Sequence, residues 1–348
     1  MKVCILSVQV PFITGGAELL AQGLEQQLRK RECEVETVLL PFKWYPPERL
    51  LDSMLMARLT DLQEVNGTKI DKVIALKFPA YFAPHSHKVC WILHQHRQAY
   101  DFYGTELSDL WQSNEGKAVA AEIKRWDDYF LPQSAGLYTI SNTVTDRLLR
   151  FNGIKAQTLY PPPLNHNNFH CGRWDDYILY PGRFDAVKRQ HLLFEALATL
   201  PDNIHLVFCG QCNAVYGSKL RRQIEASPYH SRVKVLGRIS EEEKIDLYAN
   251  CLAVYNGVYD EDYGYATLEA FFSGKPVITH TDSGGPLEFV THEHNGLITE
   301  PNPVSLGNAI RVFAESPARA KKMGSNGRES LKLHNICWDY VVETLLKS

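Results

Sequence analysis

Short runs rich in Val, Ile and Leu alternate along this chain with longer segments of helical spacing, and this alternation narrows the fold more than any other feature. The apolar runs are KVCILSV, EVETVLL, IDKVIAL, KVCWIL and GLYTIS; among them lie AELLAQGLEQQLRKR, LSDLWQSNEGKAVAAEIKRW and NTVTDRLLRF. Strands apolar along their whole length predict a parallel sheet covered by helices on both faces. At YPPPLNHNNFH, near residue 160, three prolines and three asparagines exclude a helix or a central strand, and a linker is expected. The pattern then restarts. DYILYPG, HLVFCG, RVKVLG, CLAVYNGV, KPVITH and GLITE read as strands, with RQHLLFEALATL, SKLRRQIEA, SEEEKIDLYAN and ATLEAFFSG as the helices between them.

At 348 residues the chain exceeds what one core supports, so two domains are expected. The boundaries predicted are 1–165 and 166–330 for two facing Rossmann-like, doubly wound α/β domains, and 331–348 for a carboxyl-terminal amphipathic helix packing back on the first. Ligands of such sheets bind beyond the carboxyl ends of the strands, so two of them face to face predict an inter-domain cleft. A formal net charge of −3 supplies no basic field, and nucleic acid is not expected as a partner. The apolar runs are far shorter than the roughly 18 residues of a membrane span, and MKVCILSV lacks the basic start and cleavage site of a signal peptide. A cytoplasmic protein is expected, with peripheral contact at the inner face of a membrane left open.

Of the eight cysteines, Cys4, Cys90, Cys209 and Cys251 sit in or at the end of apolar runs, where a reduced thiol acts as a small hydrophobe. Cys209 and Cys212 have the C-x-x-C spacing of redox and zinc sites, but no second cysteine pair lies nearby in sequence. Core thiols are the better expectation.

The stretch DEDYGYATLEAFFSGKPVITHTDSGGPLEFV, residues 260–290, carries the most chemistry. CLAVYNGV is a strand, DEDYGY its following turn, and ATLEAFFSG a helix closed by Gly274. Glu261 then falls at a strand's carboxyl end and Glu269 about one turn into the helix. Backbone amides at that helix start, near Gly264, Tyr265, Ala266 and Thr267, point outward with the positive end of the dipole and suit a phosphate. YPGRFDAVKRQ places Arg183 just after the domain's first strand and Lys188 near the next helix, where both can neutralise a diphosphate. Carboxylates beside such a site accept hydrogen bonds from ribose or sugar hydroxyls. The ligand these residues suggest is a sugar nucleotide.

E-D-Y-G-Y-A-T-L-E-A (261–270) resembles the E-x7-E motif of the retaining glycosyltransferases of family 4. The similarity continues in G-R-F-D-A-V-K (182–188), G-K-P-V-I (274–278), S-G-G-P-L-E (283–288), Asn295-Gly296, T-G-G-A-E (14–18) and I-S-N (140–142). The resemblance implies the GT-B fold of two facing Rossmann-like domains, the first on the acceptor side and the second binding the nucleotide sugar. It makes Glu269 the ribose-binding acid, Glu261 the acid on hydroxyls of the donor sugar, and Arg183 with Lys188 the pair on the diphosphate. Gly264, Tyr265, Ala266 and Thr267 would offer amides to phosphates and sugar. His94, in WILHQHRQAYDFYG, corresponds to a histidine near the transferred sugar, so His94 and Glu261 are the expected catalytic residues. Gly15 and Gly16 would let the first loop approach donor or acceptor closely.

The same resemblance implies retention without a metal or other cofactor, a UDP- or GDP-linked donor, and a saccharide, lipid-linked or small-molecule acceptor in polysaccharide, glycolipid or other glycan assembly. A front-face route, in which the departing phosphate helps deprotonate the acceptor, and a double displacement through a carboxylate both remain open. Two other readings share the fold: a sugar-nucleotide epimerase and a non-catalytic sugar-nucleotide binder. A further reading is a metallohydrolase, because His94 and His96 have the H-x-H spacing of metal ligands, repeated in His85 and His87. Asp260-Glu261-Asp262 also has the D-x-D form of manganese-dependent transferases, but its position in a second Rossmann-like half favours the metal-free reading.

Overall fold

The computed structural model describes every residue except Thr14 and Ala214, and the chain forms two compact units, Met1–Leu164 with Ile336–Ser348, and Asn165–Asn335. The carboxyl-terminal segment thus belongs to the first unit, separated in sequence from the rest of it.

In the first unit, strands β1 (Lys2–Gln9), β2 (Glu34–Pro41), β5 (Lys72–Ala75), β6 (Lys88–Ile92), β7 (Gly136–Thr139) and β8 (Gln157–Thr158) make a parallel sheet in the order β2-β1-β5-β6-β7-β8. The small hairpin β3 (Glu64–Val65) and β4 (Thr68–Lys69) turns through Asn66 and Gly67, both at positive φ, as a tight hairpin requires. Helix α1 (Gly16–Arg29) buries Leu20, Leu24 and Leu28, one stripe at helical spacing. Helix α2 (Glu48–Leu59) was not foreseen from the sequence, and its apolar stripe is short. Helix α3 runs from Asn114 to Phe130, starting later than the segment 107–126 suggested, because the Ser113 hydroxyl accepts from the Gly116 amide and caps the helix there. Helix α4 (Asn142–Asn152) ends at Gly153 in the left-handed region.

The second unit has its own parallel sheet: β9 (Tyr177–Pro181), β10 (His205–Cys209), β11 (Val233–Val235), β12 (Ala253–Tyr255), β13 (Val277–His280) and β14 (Gly296–Thr299), in the order β11-β10-β9-β12-β13-β14. Helices α5 (Gln190–Ala196), α6 (Tyr216–Glu225), α7 (Glu241–Asn250), α8 (Tyr265–Phe272), α9 (Pro303–Glu315) and α10 (Pro317–Ser330) connect and cover it. Its core gathers Ile178, Tyr180, Phe208, Tyr255 and Phe313, all buried. Strand order reverses between β9 and β12, so the loops leaving these two strands diverge and open a crevice at their carboxyl ends.

Helix α11 (Trp338–Lys347) packs on α1 within the first unit. A Cβ at Gly23 would stand 2.8 Å from the Trp338 ring, so only glycine admits the indole there. Lys72, buried at the start of β5, donates to the carbonyls of Leu345 and Leu346 at 3.1 and 2.7 Å, satisfying the last turn of α11. Among the described residues, no helix is long and apolar enough to cross a membrane.

Candidate functional site

Of the residues singled out between 182 and 269, Lys188 and Glu261 meet at the carboxyl edge of the second sheet, at the reversal between β9 and β12. Lys188 ends a short 3-10 turn, Ala186–Lys188, opened by Asp185, whose carboxylate accepts from the Val187 amide. The Tyr180 hydroxyl donates to the Lys188 carbonyl at 2.7 Å, and the Tyr259 amide donates to the Val187 carbonyl at 2.8 Å, fixing the turn to β9 and to the loop after β12. Lys188 Nζ then reaches Glu261 Oε2 at 3.3 Å, with both side chains about a quarter exposed. A cation and a carboxylate meet at a sheet's carboxyl edge.

The backbone of Glu261 is clamped from the loop after β13. Its amide donates to the Ser283 carbonyl at 3.0 Å and its carbonyl accepts from the Gly285 amide at 2.8 Å. Gly284, at φ +65, lies so close that a Cβ would stand 2.6 Å from the Glu261 carbonyl oxygen. The S-G-G sequence thus has a physical reason: a side chain in its middle would push Glu261 away.

Gly264, at φ +89, turns the chain into α8, and a Cβ there would collide with Pro286 at 2.7 Å. Tyr265 and Ala266 occupy the first turn, where helix geometry supplies no acceptor for their amides. Thr267 departs from the sequence expectation: its amide donates to the Gly264 carbonyl at 2.9 Å, its hydroxyl accepts from Asn256 at 3.0 Å, and the residue is buried. Its contribution is to fix the turn.

Glu269 is held at both oxygens. Lys244 Nζ lies 2.8 Å from Oε1 and the Tyr248 hydroxyl donates to Oε2 at 2.6 Å. A carboxylate has about four lone-pair positions, so each oxygen keeps capacity for a further donor. Lys244 and Tyr248 were missed from the sequence, although their i, i+4 spacing in SEEEKIDLYAN puts them on one face of α7. Arg189 and Asp282 were missed as well; their two parallel hydrogen bonds, each 2.7 Å, tie the Lys188 turn to the loop after β13. Arg183 is exposed, forms no ion pair among the described residues, and contributes its carbonyl to Gln190.

Cys209 and Cys212 are free thiols. Burial pushes the Cys209 thiol up to about 12, which removes the thiolate that redox exchange needs.

In the first unit, Gly15 caps α1 at φ −146, an extended conformation open to any residue, and its amide donates to Glu18 at 2.7 Å. The Glu18 carboxylate thus supplies the reciprocal half of a capping box, the half that needs no side chain on Gly15. Gly16 is the first residue of the helix, and Thr14 of the same motif lies outside the described residues. Glu18 also meets Lys77, beyond the end of β5, at 3.7 Å. His94 follows β6 and its Nδ1 lies 2.6 Å from the Gln95 carbonyl. His96 packs against Phe78, and burial, with the nearby His94 charge, lowers its pKa to about 3. Among the described residues no group of three His, Cys, Asp or Glu side chains gathers as a metal site would require.

Residues 173–330 match the family described as "Glycosyl transferases group 1". The human alpha-1,3/1,6-mannosyltransferase is 30% identical over 169 residues, which are 44% of this chain and 40% of that protein. The chain spans less than half the length of the curated relatives it matches. Among solved structures, the sucrose-phosphate synthase of Thermosynechococcus elongatus superposes with a TM-score of 0.79 at 18% identity, covering 99% of this chain and 97% of that one. The HepE protein of Anabaena, solved in complex with UDP and glucose, gives 0.71 at 18% identity, with 99% of each chain covered. At such identities these structures speak for the fold. Residues 173–330 thus resemble the glycosyl transferases group 1 family, and the chain carries the GT-B fold.

Proposed function

We propose that the protein is a retaining, metal-independent glycosyltransferase that moves a sugar from a UDP- or GDP-linked donor to an acceptor hydroxyl in glycan assembly. The observation that carries this reading is the meeting of Lys188 and Glu261 beside the start of α8, at the strand reversal of the second sheet. A diphosphate placed there would take charge compensation from Lys188 and Arg183 and hydrogen bonds from the Tyr265 and Ala266 amides. Glu269, oriented by Lys244 and Tyr248, is assigned the ribose hydroxyls, and Glu261 the hydroxyls of the transferred sugar. The mannosyltransferase relatives and the UDP complex of HepE support a nucleotide sugar as the donor.

In the reaction, the bond between the anomeric carbon and the diphosphate oxygen breaks and its electron pair stays on that oxygen. The acceptor oxygen bonds to the anomeric carbon from the same face, and its proton passes to the departing diphosphate. Lys188, Arg183 and the α8 amides act on the charge that grows on the leaving group, where preorganised donors lower the barrier most. His94 is assigned to the transferred sugar on the family resemblance. The test is a transfer assay with UDP- and GDP-hexoses and simple glycoside acceptors in excess EDTA, with the product's anomeric configuration read by NMR. Expected is a glycoside of the donor's configuration, formed equally with and without chelator. An inverted product, epimerised donor without a glycoside, or activity abolished by EDTA would each contradict the reading.

A further inference from the structure

A cavity of about 730 Å3 lies in the first unit, beyond the carboxyl ends of β1 and β2, between the loop 10–13 and the segment 41–56. One wall is aromatic. The rings of Phe42 and Trp44 stack at 6.3 Å, Trp44 meets Tyr45 edge-on at 5.3 Å, and Phe42 is anchored on buried Phe78 at 6.2 Å. The opposite wall includes Ile13, whose carbonyl, like that of Val10, accepts from the Gln9 side chain, so the wall is preformed. Lys43 and the ion pair of Arg49 with Asp52, at 2.6 Å, line the same space. Among the described residues the Trp44 indole N–H has no acceptor.

We infer that this cavity binds a pyranose ring, stacked on Trp44 with Tyr45 at its edge, and with its hydroxyls on Arg49 and Asp52. A pyranose presents a face of C–H groups and an edge of hydroxyls, and the cavity presents aromatic rings beside a charged pair. An alkyl or isoprenoid chain would fill the apolar part only by stripping water from Lys43, Arg49 and Asp52 without replacing its hydrogen bonds. The volume falls in the range of small-molecule sites. Phe12 marks the same rim: it is fully exposed and sits at φ +66, between two residues that line the cavity. An exposed phenylalanine in the left-handed region is strained backbone of the kind that collects at ligand clamps.

The inference deepens the glycosyltransferase reading, on which it rests for the ligand's role as acceptor; the binding itself is tested separately. Ligand-observed NMR is recorded on the full chain with methyl glucopyranoside, mannopyranoside and galactopyranoside, with octyl glucoside, and with UDP and GDP. Expected is saturation transfer to at least one methyl pyranoside, strongest on its ring C–H protons, weakened about tenfold by Trp44→Ala and by Tyr45→Ala. Arg49→Gln, on the exposed face of α2, gives a second loss that does not depend on removing a ring. Transfer to none of the pyranosides, unchanged binding in all three variants, affinity climbing with alkyl length, or displacement of the pyranoside by UDP or GDP would each overturn the inference. The melting temperature with UDP or GDP reads the donor site in the same samples. Absence of a nucleotide shift with intact pyranoside binding would count against the transferase reading and leave the cavity assigned.

Discussion

The ammonium of Lys244 stands 2.8 Å from one oxygen of Glu269, and Tyr248, one turn further along the same helix, donates to the other at 2.6 Å. Lys244 and Glu269 are less than a fifth exposed, so neither group is well served by water. Lys244→Met removes the charged donor and leaves a largely buried carboxylate with one partner. A stability loss of about 1–3 kcal/mol in urea denaturation is expected, with nucleoside diphosphate affinity falling about tenfold for each 1.4 kcal/mol of lost orientation. Unaltered denaturation would show that the pair contributes nothing.

Arg189 joins the Lys188 turn to Asp282, two residues before the glycine that clamps Glu261. Arg189→Gln is expected to weaken donor binding although Arg189 has no assigned ligand contact, because both halves of the Lys188–Glu261 pair depend on it. Burial pushes the Asp282 carboxyl up, but hydrogen bonds and charge from Arg189 outweigh burial and hold it below its usual 3.8. An acid depressed in the folded state stabilises above its unfolded pKa and loses that contribution as the pH falls through its folded one. The difference in melting temperature between wild type and Arg189→Gln should therefore be present at neutral pH and shrink below about pH 3.8. A constant difference across that range would contradict the pairing.

Asp127, in α3, has the opposite sign. It is fully buried, accepts from the hydroxyls of Tyr81 at 2.9 Å and Tyr100 at 2.6 Å, and burial raises its pKa from 3.8 to about 7 despite those bonds. Between these values the folded chain holds a proton that the unfolded chain releases, so stability falls as pH rises through this window, by at most on the order of 4 kcal/mol. Asp127→Asn should flatten that slope in melting curves taken from pH 4 to 7. An identical slope in the variant would place the titration elsewhere.

His94 and His96 are expected to separate by readout. His94→Ala should lower turnover about 10- to 100-fold, the worth of a hydrogen bond made to developing charge, while donor affinity holds. His96, neutral and packed on Phe78, should cost stability when replaced by Ala and change turnover little in the folded fraction. Equal losses of turnover from both would undo the distinction.

The parallel sheets were legible because their strands are apolar along their length, and because punctuation such as YPPPLNHNNFH falls between the two runs of βα units. Helix α2 was not legible, since ERLLDSMLMARL has apolar residues on more than one face and gives no clean period. The late start of α3 was hidden in Ser113, one of several serines and asparagines that could have capped. Within the candidate site, the E-x7-E spacing marked Glu261 and Glu269, yet nothing local to them names Lys244, Tyr248 or Asp282. These partners come from other elements, and only the sheet order brings them near. The Gly15 amide bonds to Glu18 three residues on, a local contact that the T-G-G-A-E motif does not announce.

The most direct measurement is calorimetric titration of UDP, GDP and their hexose conjugates into wild type, Lys188→Ala and Glu269→Ala, with folding of each variant verified by its melting curve. Saturable binding of one nucleotide series by wild type is predicted, weakened about tenfold or more in each variant, as loss of a charged hydrogen bond entails. Binding of neither series by wild type, or affinities in both variants equal to wild type, would contradict the assignment of this edge of the second sheet to a sugar nucleotide.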